Sequence, residues 1–136
     1  MISLLQGEVA TGKALASQFA QDGYHLVLAA RGVVKMQALA DELQRKFKVA
    51  VTVIGADLET NDGAARLHAD IKARGIVLSA LVNNAGYGAF GEFKDSALMS
   101  ELAMMQLNMN VVVELSHLLV PILSQQKQAY ILNISS

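Results

Sequence analysis

Few residues in this chain can do chemistry, and the most prominent are amides. Asn83-Asn84-Ala85-Gly86 follows the apolar pair Leu81-Val82. Two short amides and then two residues with almost no side chain suit the carboxyl end of a buried strand where a ligand approaches the backbone. Amide side chains can satisfy backbone groups of neighbouring segments, and Ala and Gly leave room beside them. In open α/β sheets the ligand crevice lies at the carboxyl ends of the strands, where strand order reverses. The same stretch reads equally well as a strand running into an Asn/Gly turn. Asn108 sits in an apolar helical stretch, where Asn has low propensity and needs a partner once buried. His25, His68 and His117 lack metal-ligand spacing and read as surface or helix-face residues, so no metal site is expected.

The elements around these residues alternate. Ile2 to Leu5 reads as a first strand, and a helix follows Gly12, with Gly23 placed as its stop. Tyr24 to Ala30 is a buried-strand run. Met36, Leu39, Ala40, Leu43 and Phe47 then mark one face of a second helix. Val49 to Ile54 is β-branched and strand-like. Asn61 can cap a third helix carrying Ala64, Leu67 and Ile71, closed by Gly75. After the Leu81–Gly86 strand end and a loop holding Gly88 and Gly91, residues 96–125 read as one long helix. Pro121 should kink or end it. Tyr130 to Ile134 is a fifth strand. Such alternation means βαβ units and a parallel sheet with right-handed crossovers.

The 136 residues make one domain, 1–136, with a core of its own. Hydrophobic residues are 53% and aromatics only 5%, which favours Ala/Val/Leu-rich helices packed on a buried sheet. A net charge of −1 gives no global field for nucleic acid or an anionic membrane. The absence of cysteine excludes disulfides and thiolate metal sites and is compatible with a cytoplasmic location. No apolar run is expected to reach membrane-spanning length, and the N-terminus lacks a signal-peptide layout. Between Ser96 and Ser136 only Glu101, Glu114 and Lys127 are charged, so the long helix is expected to be buried all round. Four of the six methionines lie between Met99 and Met109, where core packing is favoured over a substrate-facing patch.

From about Gly12 to Ser136 the chain resembles the N-terminal half of a short-chain dehydrogenase/reductase. The resemblance rests on four features in order and spacing: Leu26–Arg31 at a strand end, Asp57-Leu58 after the third strand, Asn83-Asn84-Ala85-Gly86, and Asn-Ile-Ser-Ser at 133–136. It implies a three-layer, Rossmann-like doubly wound α/β fold of about five parallel strands with helices on both faces, the family's C-terminal strands missing. It also implies hydride transfer between NADP(H) and a small-molecule carbonyl or alcohol substrate. Asp57 and Leu58 resemble the pair that contacts adenine, although Asp57 could simply start a turn. Arg31 can pair with a 2′-phosphate, and Ala30 stands where NAD-selective relatives carry an acid. An exposed Arg capping a strand is the alternative. Asn108 corresponds to the family's helix Asn that holds a water in a proton relay. Ser136 corresponds to the serine that hydrogen-bonds the substrate carbonyl, with Ser135 the less favoured candidate. Thr11, Gly12 and Asn83 to Gly86 complete the implied cofactor set.

Two departures stand beside these matches. In the phosphate-binding turn only Gly12 aligns; Ala10 replaces a glycine, Gly7 is one place off, and Glu8 brings a carboxylate toward the phosphates. That degenerate turn implies weakened cofactor affinity. The family's Tyr-x-x-x-Lys is absent, since none of Tyr24, Tyr87 and Tyr130 is followed four residues later by Lys. A truncated chain inactive on its own is therefore expected, with the long helix or fifth strand driving homo-oligomerisation or pairing with a complementing C-terminal half. A Leu115→Lys change is the probe chosen for that assembly. Two other readings compete: a non-catalytic nucleotide-binding module, and an assembly module that binds no nucleotide.

Overall fold

The computed structural model describes residues 2–6 and 10–135, with side chains from Gly12 to Ser135. In chain order they form β1 (Ile2–Gln6), α1 (Ala10–Gln21), β2 (His25–Ala30), α2 (Val33–Phe47), β3 (Val51–Gly55), α3 (Gly63–Ala73) and β4 (Ala80–Asn83), then α4 (Leu98–Met105), α5 (Val111–Leu123) and β5 (Tyr130–Asn133). The strands form one sheet in the order β3-β2-β1-β4-β5, every pair parallel. This is the doubly wound α/β arrangement expected, with strand order reversing between β1 and β4.

Side-chain alternation along β2 sorts the two faces. Leu26, Leu28 and Ala30 pack with Ala16 and Ala20 of α1 and with Met36, Ala40 and Leu43 of α2. Val27 and Ala29 face the opposite layer, where α3 supplies Leu67 and Ile71 and α5 supplies Leu115 and Leu119. A strand covered on both sides must be apolar on both, which is why β2 reads as a continuous hydrophobic run. Each fully buried Leu or Ile here contributes roughly 1.5–3 kcal/mol through area removed from water.

Two helix stops are glycines in the left-handed region, Gly23 (φ 86°) and Gly75 (φ 67°). At each, the glycine N–H and the next residue's N–H fold back onto the last turn: Gly23 to Ala20 O and Tyr24 to Phe19 O, Gly75 to Lys72 O and Ile76 to Ile71 O. The third helix starts later than expected. Asp62, not Asn61, occupies its cap position, and no side chain caps it. The cause lies in the preceding turn, where Gly63 packs so tightly on the Asp57 carbonyl that a Cβ would collide with it. Thr60 Oγ1 donates to that same carbonyl at 3.0 Å, and the Gly63 N–H donates to Thr60 O at 3.2 Å. The chain completes this turn before it can become helical.

The long helix departs most from expectation. A 3-10 turn at Phe93–Asp95 precedes it, and a π-helical segment, Gln106–Asn110, joins α4 to α5. Its burial is one-sided: Val111, Leu115, Leu119 and Leu123 are buried, while Leu98, Met99, Leu102, Met105, Met109, Val113 and Val120 are exposed. The methionine cluster is therefore not core packing in this chain. Leu115 faces the sheet and not a partner, so a lysine there would damage the core. Pro121 lies in the last turn, and the helix ends two residues later. At 26 residues and mean hydropathy 1.3, Leu98–Leu123 is long and apolar enough to cross a membrane by length and composition, which corrects the expectation that no run would be. The one face it buries, Val111, Leu115, Leu119 and Leu123, packs with residues of α3 and the sheet.

Candidate active site

Because all five strands are parallel, their carboxyl ends share one edge, and the residues singled out from sequence collect there. Asn83 pairs in register with Asn133 at the ends of β4 and β5. Its Nδ2 donates to Asn133 Oδ1 at 2.8 Å and reaches Ser116 Oγ of α5 at 3.5 Å. Asn83 is 2% exposed. It ties β4, β5 and α5 together where the crevice opens.

Asn84 behaves differently. It is 7% exposed, and its Nδ2 has no hydrogen-bond partner among the described residues. A buried amide donor left unpaired costs about 1–3 kcal/mol. Asn84 lines two cavities at once, since Asn84, Ala85, Gly86 and Tyr87 form a wall shared by both.

On one side of the wall is a cavity of about 310 Å³ between the ends of β2 and β3, lined by Ala30, Arg31, Asp57, Leu58 and Glu59 among others. Asp57 does start a turn: its Oδ1 accepts the Glu59 N–H at 3.1 Å. It lines the cavity as well, so the two readings of Asp57 coexist. Leu58 is 4% exposed and belongs to the core, presenting only an edge to the cavity. Arg31 is largely exposed and pairs with Glu59, Nη1 to Oε1, at 3.5 Å. Glu59 carried no signal in the sequence, because only the turn after β3 brings it beside the end of β2.

On the other side is a cavity of about 490 Å³ bordered by Asn108, Val112, Asn133, Ile134 and Ser135. Asn108 lies in the π segment, and its amide grips the loop backbone at two points. Its Oδ1 accepts the Tyr87 N–H at 3.0 Å, and its Nδ2 donates to Tyr87 O at 2.7 Å. Gly86 has to be glycine for this grip, since a Cβ there would lie 2.6 Å from Asn108 Oδ1. π segments inside helices often mark functional sites, because the extra residue re-aims a side chain. Ser135 reaches the cavity; Ser136 lies outside the described residues, as do Gly7 and Glu8 of the phosphate turn. Thr11 and Gly12 fall in the first turn of α1, which follows β1 at the switch point, and Gly12 is buried. Among the described residues no cluster of three His, Asp or Glu side chains could hold a metal ion.

The fit to a dinucleotide is good on these observations: an orphaned amide donor, a wall of Ala and Gly at the switch point, and a cavity on each side. Comparison with known proteins agrees. The family model for short chain dehydrogenase matches residues 7–136. A very-long-chain 3-oxoacyl-CoA reductase of Homo sapiens is 29% identical over 129 residues, covering 92% of this chain and 41% of that protein. The chain thus spans about two-fifths of the length of the curated relatives it matches. Among solved structures, a bulky-bulky ketone specific alcohol dehydrogenase from Comamonas testosteroni is 30% identical with TM-score 0.89, covering 99% of this chain and 54% of that one. A short-chain dehydrogenase from Sphingobium yanoikuyae in complex with NADPH is 31% identical with TM-score 0.86, covering 99% and 53%. A match from residue 7 to residue 136, on a sheet of this order with its amides at the switch point, leads to one conclusion: the chain belongs to the short-chain dehydrogenase/reductase family.

Proposed function

We propose that this chain forms the NADP(H)-binding part of an oxidoreductase acting on a small carbonyl or alcohol substrate. The observation that carries the reading is the shared wall, Asn84 to Tyr87, between two cavities at the switch point, with a buried Asn84 Nδ2 that has no partner among the described residues. When bound, NADP(H) supplies or accepts the hydride. Arg31 would hold a 2′-phosphate, with Asp57 and the edge of Leu58 beside the adenine. The first turn of α1, with Thr11 and Gly12, offers backbone N–H groups to the pyrophosphate. Asn84, Ala85 and Gly86 would run along the middle of the cofactor, and Asn83 holds β4 and β5 in place beneath them. Asn108 fixes the loop over the second cavity and would position a water for proton relay, while Ser136 would orient the substrate oxygen. The names of several relatives point the same way, to ketones, 3-oxoacyl thioesters and NADPH. A cytoplasmic location and a homo-oligomer are part of the proposal; the exposed apolar residues of α4 and α5 support the latter.

Titration calorimetry tests the assignment. NADPH is expected to bind more tightly than NADH, and Arg31→Ala to close the gap between them. Asn84→Ala should weaken both cofactors alike, since Asn84 lines both cavities and not the 2′-phosphate end alone. Equal affinities of the unmodified protein for the two would remove the NADP assignment, and no binding of either would remove the cofactor site.

A further inference from the structure

We propose that Glu59 sets the cofactor selectivity of this site by holding Arg31, the cation that a 2′-phosphate would need. The proposal rests on the nucleotide-site reading above and adds a residue that works against it. Topology makes the pair. Ala30 and Gly55 are registered partners at the ends of β2 and β3, and the Ala56 N–H extends the ladder to Ala30 O at 3.1 Å. Residues 31 and 59 therefore leave the sheet side by side. The turn that delivers Glu59 is fixed by two bonds to Asp57, from the Glu59 N–H to Oδ1 and from Thr60 Oγ1 to the carbonyl. The Glu59 side chain is 25% exposed against 63% for Arg31, so the carboxylate is the sheltered partner and the guanidinium the exposed one.

Charge then decides the selectivity. Arg31 is the sole cation among the described residues lining the smaller cavity, and it faces two carboxylates, Asp57 and Glu59. A 2′-phosphate must draw Arg31 from Glu59 and then sit close to both acids, and like charges at such separations repel even in a water-like medium. A ribose 2′-hydroxyl meets no such obstacle and can donate to Glu59. Glu59 thus takes part of the phosphate's place at Arg31, leaving the site with a small preference for the phosphorylated cofactor and usable affinity for the unphosphorylated one.

Adenosine 2′,5′-bisphosphate and 5′-AMP isolate this term, because they differ only in the 2′-phosphate. Calorimetric titration of the 136-residue protein with each is compared with Glu59→Gln, Arg31→Ala and the double variant. Glu59→Gln is expected to tighten the bisphosphate roughly tenfold, from removal of one ion pair and one repulsion, while 5′-AMP changes less than about twofold. In the Arg31→Ala background the same substitution should have a smaller effect, since only the repulsion between Glu59 and the phosphate remains to be removed. A bisphosphate-to-AMP ratio unmoved by Glu59→Gln, or both nucleotides shifting equally, would overturn the proposal while leaving the nucleotide site standing. Failure of both nucleotides to bind the unmodified protein would remove the site itself and the proposal with it.

Discussion

Asn108 offers the sharpest test of how the loop over the larger cavity is held. Its two hydrogen bonds to the Tyr87 main chain, at 3.0 and 2.7 Å, are short and run in opposite directions, so one amide meets both backbone groups of one residue. A typical intramolecular hydrogen bond is worth about 0.5–1.5 kcal/mol net. Tyr87 is 42% exposed, and its freed backbone groups would find water, so the lower end applies to each bond. Asn108→Ala should therefore release about 1 kcal/mol locally, making loop opening roughly fivefold more frequent. Amide hydrogen exchange followed by NMR reads this directly: Tyr87 protection should fall about fivefold, while core amides such as Leu28 and Val82 keep theirs. Gly86→Ala gives the complementary perturbation, because its Cβ would press on Asn108 Oδ1. In the unmodified protein that substitution should also lower Tyr87 protection, and in Asn108→Ala it should have little further effect. Unchanged Tyr87 protection in Asn108→Ala, or additive effects of the two substitutions, would refute the clamp.

Gly63→Ala should lower the urea midpoint by the equivalent of about 1–3 kcal/mol, since the new Cβ meets the Asp57 carbonyl and not a yielding side chain; a raised midpoint, the usual result of Gly→Ala in a helix, would count against the tight turn. If the exposed band on α4 and α5 drives self-association, Val113→Lys, at a position 68% exposed, should shift sedimentation toward monomer without loss of thermal stability. An unmodified protein that stays monomeric at high concentration would dispose of that idea.

Much of the architecture was legible because its causes are local. Gly23 and Gly75 stop helices by supplying a positive φ, and the apolar runs of β2 and β4 reflect burial on two faces. The four clusters resembling a short-chain dehydrogenase also lie on the carboxyl edge, except that Ser136 is beyond the described residues. What escaped depends on tertiary neighbours. Asn61 and Asp62 are both good caps on paper, and the choice between them follows from Gly63 lying against Asp57. Asn83 and Asn84 are identical in type and adjacent, yet one is bonded to β5 and the other has a buried Nδ2 with no partner among the described residues, a distinction made by strand alternation. The long helix looked uniformly apolar, but a sheet covers only one side of it.

The π segment has a consequence best stated in chain length. A helix normally punishes the loss of a single residue, because everything beyond the gap turns by about 100° and slides by about 1.5 Å. Gln106–Asn110 is the place where this helix carries one residue in surplus. Removing one residue there would let α4 and α5 rewind into a continuous α-helix with its backbone bonds intact, and the stripe Val111, Leu115, Leu119 and Leu123 would stay on the sheet. What would change is the segment itself, with Asn108 turned off Tyr87. At this point of the chain, the aim of the Asn108 amide is encoded by a count of residues as much as by their kind.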